Sequence, residues 1–249
     1  MPKTPPVALI LFSNDLDNFL PSVERERKLI EEALEGYNDT NRLKVIARSS
    51  VSIDEIFRLF NRYQGRISIF HFAGHAFGEG LQLNKDFSGT ELGKAGGLAD
   101  LFRREVVDGI LQLVFLNGCS TQPQLEGLKA AGVPSVICTR CPIEDGKALN
   151  LAKQFYRSLA GADQAQPFDQ PSTIDQSFER AMAYLKTASQ VKVEKIQRGI
   201  LLSFDSSSGD FDLNEEPWTL YSTNGEWTLS SEVADENKVF NEFLTRHLI

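Results

Sequence analysis

The sequence predicts an α/β fold with a mostly parallel central sheet and helices on both of its faces. Short, continuously apolar runs alternate with longer amphipathic runs over the first two thirds of the chain. The apolar runs lack the in-and-out alternation of a sheet that has one face in water, which favours strands buried on both faces. Hydrophobic residues make up 41% of the 249 residues, which is enough to fill such a core.

Five apolar runs are the predicted strands, and the amphipathic runs between and after them are the predicted helices. Ser22 is placed to cap the start of the first helix, and Ser52 stands three residues before Glu55, as in a capping box. The predicted strands cover residues 7–12, 42–48, 67–72, 111–116 and 135–139, and the predicted helices cover 20–37, 52–65, 98–107, 124–132, 146–160 and 174–188.

The C-terminal part of the chain is less regular. Residues 199–205 are predicted to form a strand, and residues 205–216 are predicted to form a flexible acidic loop. Residues 217–222 and 226–231 are predicted to form either a terminal hairpin or a final sheet strand with an edge. Because no repeat or linker forces a boundary, the chain 1–249 is predicted to be a single domain.

Charge and composition argue against several kinds of partner. The net charge is −8 and no basic run is present, which argues against nucleic acid or an anionic membrane. The apolar run 7–12 is far shorter than the ~20 residues that span a bilayer, so a cytoplasmic location is expected. The three cysteines are an odd number in a large chain, which does not suggest a disulfide framework.

Two reactive side chains follow neighbouring strands of the predicted sheet. His75 comes after the strand 67–72 and Cys119 after the strand 111–116, each directly behind a glycine. Ligands of open parallel sheets lie beyond the carboxyl ends of the strands, and neighbouring strands are ~5 Å apart, so the imidazole and the thiol can meet. An imidazole that takes the thiol proton produces a thiolate nucleophile.

The pattern alone also allows a purely structural interpretation, since a cysteine after a strand is more often a small core residue. His71 is the main competitor to His75 for a functional role. It alternates with Phe70 and Phe72 within its strand and is expected to be packed inside or hydrogen-bonded. The glycine context and the position at the strand end favour His75 instead.

Cys138 and Cys141 form a Cys-x-x-Cys motif that raises the question of redox or zinc chemistry. A zinc site usually needs four ligands, and no second cysteine pair or nearby histidine is visible. Pro142 follows the second cysteine, where a thioredoxin-type motif would start a helix. A role in the core or at its rim is therefore expected.

Three segments of the chain carry a family resemblance: "FHFAGHAFGEGLQL", "LVFLNGCSTQ" and "GVPSVICTRCPIEDGKALNLAKQFYRSLAG". They resemble the CHAT domain, a family of caspase-like peptidases related to separase and clostripain. The resemblance covers about residue 65 to about residue 190. It implies a caspase-like α/β sandwich that needs no metal or cofactor, with a dyad in which His75 is the general base and Cys119 the nucleophile.

The resemblance also implies an oxyanion hole made by the backbone N–H groups of Ala76 and Cys119. Many relatives have glycine directly after the histidine, where this chain has alanine. Alanine still offers its N–H group but restricts the backbone, so Gly74 is expected to supply some of the flexibility that the hole requires.

Two acidic residues are candidates for substrate recognition. Asp145 matches an acidic position often seen in CHAT sequences, and together with Glu144 it would favour a basic P1 residue. The alternative is that Asp145 caps the helix that begins at Gly146. The "QACRG" signature of caspases is absent, so aspartate specificity is not expected.

The resemblance implies a cytoplasmic cysteine endopeptidase that cleaves a protein or peptide substrate as an effector of bacterial defence or regulated death. The chain shows no sensor domain of its own, which implies a protein activator in trans or proteolytic processing. Two alternatives remain open. One is a non-catalytic CHAT-like module that docks a partner, and the other is a TIR-like nucleotide-processing domain, suggested by the opening "VALILFSNDLD".

Overall fold

The computed structural model of the protein describes residues 4–85, 89–107, 110–162, 171–188 and 217–229. The predicted strand 199–205 and the predicted acidic loop 205–216 lie outside these ranges. The strands are β1 (Val7–Phe12), β2 (Lys44–Arg48), β3 (Ile67–Ala73), β4 (Ala76–Phe77), β5 (Gly80–Asn84), β6 (Thr90–Lys94), β7 (Leu113–Asn117), β8 (Ser135–Thr139) and β9 (Trp218–Ser222). The helices are α1 (Ser22–Asp39), α2 (Ile53–Arg62), α3 (Ala95–Val107), α4 (Leu125–Ala130), α5 (Asp145–Ala160) and α6 (Ile174–Thr187).

Six strands form one central sheet in the order β2-β1-β3-β7-β8-β9. The first five run parallel, and β9 joins the edge antiparallel to β8. Every residue of β1, β3, β7 and β8 is buried, as continuous apolar runs predict for a sheet covered on both faces. The predicted parallel α/β sheet is confirmed.

The two faces of the sheet support two separate layers of helices. Along β1, alternate residues face opposite layers, because side chains of a strand point to alternate faces. Ala8, Ile10 and Phe12 pack with α1, α5 and α6, whereas Val7, Leu9 and Leu11 pack with α2, α3 and α4. This arrangement agrees with the caspase-like sandwich that the resemblance implies. None of the helices within the described ranges is long and apolar enough to cross a membrane.

A second, antiparallel sheet of three short strands, in the order β4-β5-β6, follows directly after His75. Its close contact depends on glycine, since a Cβ atom on Gly80 would lie 2.2 Å from the Gly93 carbonyl oxygen. Leu81 and Leu83 anchor this small sheet in the core on the α2–α4 side. The predicted strands do not include this sheet, because β4 has only two residues and β6 carries little apolar pattern.

The predictions for the element ends had mixed outcomes. Ser52 caps α2 as predicted, with its Oγ accepting a hydrogen bond from the Glu55 N–H at 3.2 Å. Ser22 does not cap α1 with its side chain, and Pro21 occupies the N-cap position. Residues 218–222 form the final sheet strand, which was one of the two predicted alternatives, and residues 223–229 turn away without a second strand.

The Ser52 cap gives a test of the fold assignment. Replacing Ser52 with Ala should lower the free energy of unfolding by about 1 kcal/mol, because a helix N–H group loses its acceptor. Urea denaturation followed by circular dichroism measures the change. Ser49→Ala, at an exposed serine of the preceding loop, is the matched control and should leave stability nearly unchanged. Equal stabilities of the two variants would contradict the cap.

Candidate active site

The ends of β3 and β7 lie side by side and bring the two predicted segments into contact. Ala73 pairs with Asn117 in the parallel register, and His75 and Cys119 each follow two residues later. A Cβ atom built on Gly118 would lie 2.5 Å from the Ala76 Cβ and 2.9 Å from the Gly74 carbonyl oxygen. The chain therefore requires glycine before the cysteine, because the two backbones meet there.

His75 is buried, with 2% of its surface exposed. Its Nε2 lies 2.6 Å from the carbonyl oxygen of Asn18. A carbonyl oxygen only accepts hydrogen bonds, so this contact assigns the proton to Nε2 and the lone pair of the neutral ring to Nδ1. Among the described residues, Nδ1 has no hydrogen-bond partner. The ring thus keeps one nitrogen available to accept a proton.

Cys119 is also buried, with 2% of its surface exposed. Its Sγ accepts a hydrogen bond from the Ile143 backbone N–H at 3.2 Å. A donor aimed at sulfur favours negative charge on it, because hydrogen bonds to ionised acceptors are stronger than those to neutral ones. The sequence does not predict this contact, since it comes from the loop after β8.

The whole turn that carries Cys119 is bonded to the segment 139–143. Ser120 adopts a positive φ of 52°, which makes the turn sharp directly after the cysteine. Each residue of the turn has a hydrogen bond to that segment. The Gly118 carbonyl accepts from Thr139 Oγ1, and Cys119 Sγ accepts from the Ile143 N–H. The Ser120 N–H donates to the Cys141 carbonyl at 3.3 Å, and the Thr121 N–H donates to Thr139 Oγ1 at 3.1 Å.

Of the Cys-x-x-Cys motif, Cys141 lies in this supporting segment and Cys138 directly precedes it. Cys138 lies in the core, and its burial raises the pKa of its thiol to about 12. Cys141 is half-buried, and desolvation raises the pKa of its thiol as well. No cluster of three or more His, Cys, Asp or Glu side chains suited to a metal occurs in the described part of the chain. The expected core or rim role of the motif is confirmed.

Ala76 and Gly74, predicted to belong to the oxyanion hole, flank His75 at the contact with Gly118. Ala76 is buried and begins β4. Gly74 lies against the loop after β1, where a Cβ atom would be 2.4 Å from the Ser13 carbonyl oxygen. This position therefore accepts only glycine, for reasons of space. The role of these residues in an oxyanion hole stays a prediction.

Asp145 has a structural partner. Its Oδ2 accepts a hydrogen bond from the Ser22 backbone N–H at 2.8 Å, and only 3% of its surface is exposed. The carboxylate thus caps α1, where the sequence predicts that the Ser22 side chain does so. Glu144 is only partly buried beside it. A role for these two acids in substrate binding stays a prediction.

His71 lies in a buried polar cluster beneath the site, as the sequence predicts for a structural histidine. Its Nε2 is 3.1 Å from Oε1 of Glu26, which also accepts a hydrogen bond from Asn117 Nδ2 at 2.8 Å. Asn117 Oδ1 in turn accepts from Trp218 Nε1 at 3.1 Å. The sequence does not predict this buried cluster, although helical spacing places Glu26 on the same face as Ile30.

The contact at Gly118 can be tested with one destabilising substitution and a second substitution that restores part of the lost stability. Gly118→Ala should destabilise the protein by about 1–3 kcal/mol, the usual cost of overpacking, because its Cβ collides with that of Ala76. Adding Ala76→Gly removes one of the colliding atoms and should restore part of the loss. Chemical denaturation of the three variants measures this coupling, and simple additivity of the two changes would contradict the contact.

The comparison with known families agrees with this geometry. The model of the CHAT domain matches residues 4–202 of the 249-residue chain, so the match includes β1, α1 and β2 as well as the two segments of the site. No curated protein matches the chain. The chain belongs to the CHAT domain family.

Proposed function

We propose that the protein is a cysteine endopeptidase in which Cys119 is the nucleophile and His75 the general base. Membership of the caspase-like CHAT family supports a peptidase. The observation that carries the proposal is the state of His75: its Nε2 is bonded to the Asn18 carbonyl and its Nδ1 has no partner in the described chain. A general base needs such an available lone pair next to the group that it deprotonates.

The proposed reaction begins when Nδ1 of His75 takes the proton of the Cys119 thiol and the sulfur attacks the carbonyl carbon of the substrate. The N–H groups of Ala76 and Cys119 stabilise the oxyanion, and Gly74 shapes the backbone before them. The imidazolium then protonates the leaving amine, which leaves a thioester on the sulfur. Water, deprotonated by Nδ1, hydrolyses the thioester, and the returned proton restores the thiol.

Substrate selection remains part of the proposal. We assign preference for a basic P1 residue to Glu144 and Asp145, which follow the loop that contacts the Cys119 sulfur. Glu144 is the more accessible of the two, because Asp145 is buried and bonded to the start of α1. On this proposal, Asp145 contributes charge and Glu144 contributes direct contact.

Activation by a partner protein or by proteolytic processing is also proposed. Support comes from exposure: His75 and Cys119 each expose 2% of their surface, so a peptide reaches the sulfur only after neighbouring groups move. An effector role in bacterial defence or regulated death rests on the family resemblance. The same low exposure is the observation that favours the second candidate function, a CHAT-like module that docks a partner without catalysis.

Loss of Cys119 should abolish cleavage, and loss of His75 should slow it strongly. Cys119→Ala removes the nucleophile, and His75→Ala should lower the rate by about 10²–10⁴, the usual contribution of a general base. Mass spectrometry of a peptide library incubated with the activated protein measures cleavage. Cys138→Ala and Cys141→Ala are the matched controls and should retain cleavage. Retained cleavage in Cys119→Ala would overturn the proposed function.

Selective alkylation separates the peptidase from the docking module. At about pH 8, a peptidyl acyloxymethyl ketone with a basic P1 residue should modify Cys119 and not Cys138, whose raised pKa of about 12 keeps it a protonated thiol. His75→Ala should suppress this modification. Intact-protein and peptide mass spectrometry locate the label. Labelling confined to the half-buried Cys141 would favour the docking module.

A further inference from the structure

The loop between β1 and α1, residues 13–21, supplies the carbonyl group that contacts the proposed base. The Asn18 carbonyl oxygen lies 2.6 Å from His75 Nε2. Every residue has a carbonyl group, so the identity of the Asn18 side chain does not create this contact. The position of the oxygen depends on what holds the loop.

Asp15 orders the part of the loop that leads to Asn18. Its Oδ1 accepts a hydrogen bond from the Asp17 backbone N–H at 3.0 Å. This backbone bond is the main cause that lowers the pKa of Asp15, and bonds from the side chains of Gln82 and Asn18 and the charge of His75 lower it further. The side chain of Asp15 is therefore a carboxylate at neutral pH, and it lies within electrostatic reach of the imidazole.

Gln82 of β5 connects this carboxylate to the histidine from the other side. Its side-chain Nε2 donates to Asp15 Oδ2 at 2.8 Å, and its backbone N–H donates to the His75 carbonyl oxygen at 3.0 Å. Gln82 is buried, with 4% of its surface exposed. A closed ring of contacts results, which runs from His75 through Gln82 and Asp15 to residues 17 and 18 and back to the imidazole.

The base of the loop is held by a different set of contacts that do not include His75. Asn84 Nδ2 donates to the Asn14 carbonyl oxygen at 2.8 Å, and Asn14 Oδ1 accepts from the Leu20 N–H at 2.8 Å. These bonds fix where the loop starts and ends. The ring through Asp15 and Gln82 acts on its tip, where the carbonyl of Asn18 lies.

We propose that Asp15 and Gln82 are positioning residues for His75: the carboxylate, held by Gln82, orders residues 15–18 so that the Asn18 carbonyl keeps the imidazole in its Nε2–H form. Nδ1 is then left with its lone pair for the thiol proton. Neither residue touches a reacting atom. The inference rests on the proposed function of the site and names two further residues on which it depends.

Substitutions in this ring can separate the effect of the Asp15 charge from the effect of its hydrogen bonds. Asp15→Asn keeps the oxygen that accepts from the Asp17 N–H, and Gln82 Oε1, which has no partner within the described residues, can turn to accept from the new amide. Asp15→Ala loses these two bonds and also the bond from the Asn18 side chain. Gln82→Met fills the same space without the donor and leaves the backbone bond to His75 intact. Asp17→Ala removes an exposed acid of the same loop and serves as the control.

The tautomer of His75 is the direct readout. In the full-length protein labelled with ¹⁵N-histidine, the ring nitrogen shifts at about pH 8.5, well above the ordinary histidine pKa, should give an Nε2–H imidazole. Comparison with His75→Ala assigns its signals. Asp15→Asn and Asp17→Ala should retain this form, whereas Asp15→Ala and Gln82→Met should give a mixture of the two tautomers.

The rate of cleavage is the second readout. Asp15→Ala and Gln82→Met should lower kcat about 10-fold to 100-fold with little change in KM, the scale expected when a catalytic group is displaced by a fraction of an ångström to about 1 Å. Rescue by Asp15→Asn distinguishes positioning by hydrogen bonds from an effect of charge. If Asp15→Ala fails to fold, as judged by circular dichroism, Gln82→Met provides the same test.

The two readouts keep the inference apart from the function on which it rests. Mixed tautomers in Asp15→Ala in a protein that never cleaves peptides would support the positioning role and overturn the proposed function. Cleavage through Cys119 with unchanged tautomer and rate in both Asp15→Ala and Gln82→Met would overturn the positioning role. A loss in Asp17→Ala equal to that in Asp15→Ala would also overturn it.

Discussion

The close approach of two backbones at the ends of β3 and β7 is the constraint on which the site depends. Gly118 lies so close to Gly74 and Ala76 that the chain has no room for a side chain there. The parallel register places His75 and Cys119 directly beyond this contact. The neighbouring strand β8 completes the arrangement, because its last residue, Thr139, and the loop after it bond each residue of the cysteine turn. Cys119 is thus held between the ends of β3 and β8.

Hydrogen bonds support this contact from two sides. Beneath the site, the buried Glu26 has partners in His71 and Asn117, which offset the cost of burying a carboxylate and fix the residue that precedes Gly118. Above it, the loop 13–21 presents its carbonyl group to His75. The lower contacts orient the strand that leads to the cysteine, and the upper ones orient the imidazole. Each residue of the proposed dyad therefore has its own support.

The sequence predicts the parts of the molecule that depend on local pattern. The five parallel strands follow from continuous apolar runs, and the buried, hydrogen-bonded position of His71 follows from its alternation with Phe70 and Phe72. The Ser22 cap was wrong because the Asp145 carboxylate, 123 residues further along the chain, occupies that place. Asn18 could not be predicted, since it acts through a carbonyl that every residue has. The same holds for the Ile143 N–H, whose partner is set only by the tertiary fold.

Asp145 connects the supports of both residues of the proposed dyad through the backbone. It caps the first N–H of α1, and that helix starts four residues after the carbonyl that contacts His75. It also follows by two residues the N–H that holds the sulfur of Cys119. One carboxylate is thus bonded next to the supports of two side chains, His75 and Cys119, that follow different strands. A displacement of the start of α5 would therefore shift the supports of His75 and Cys119 together.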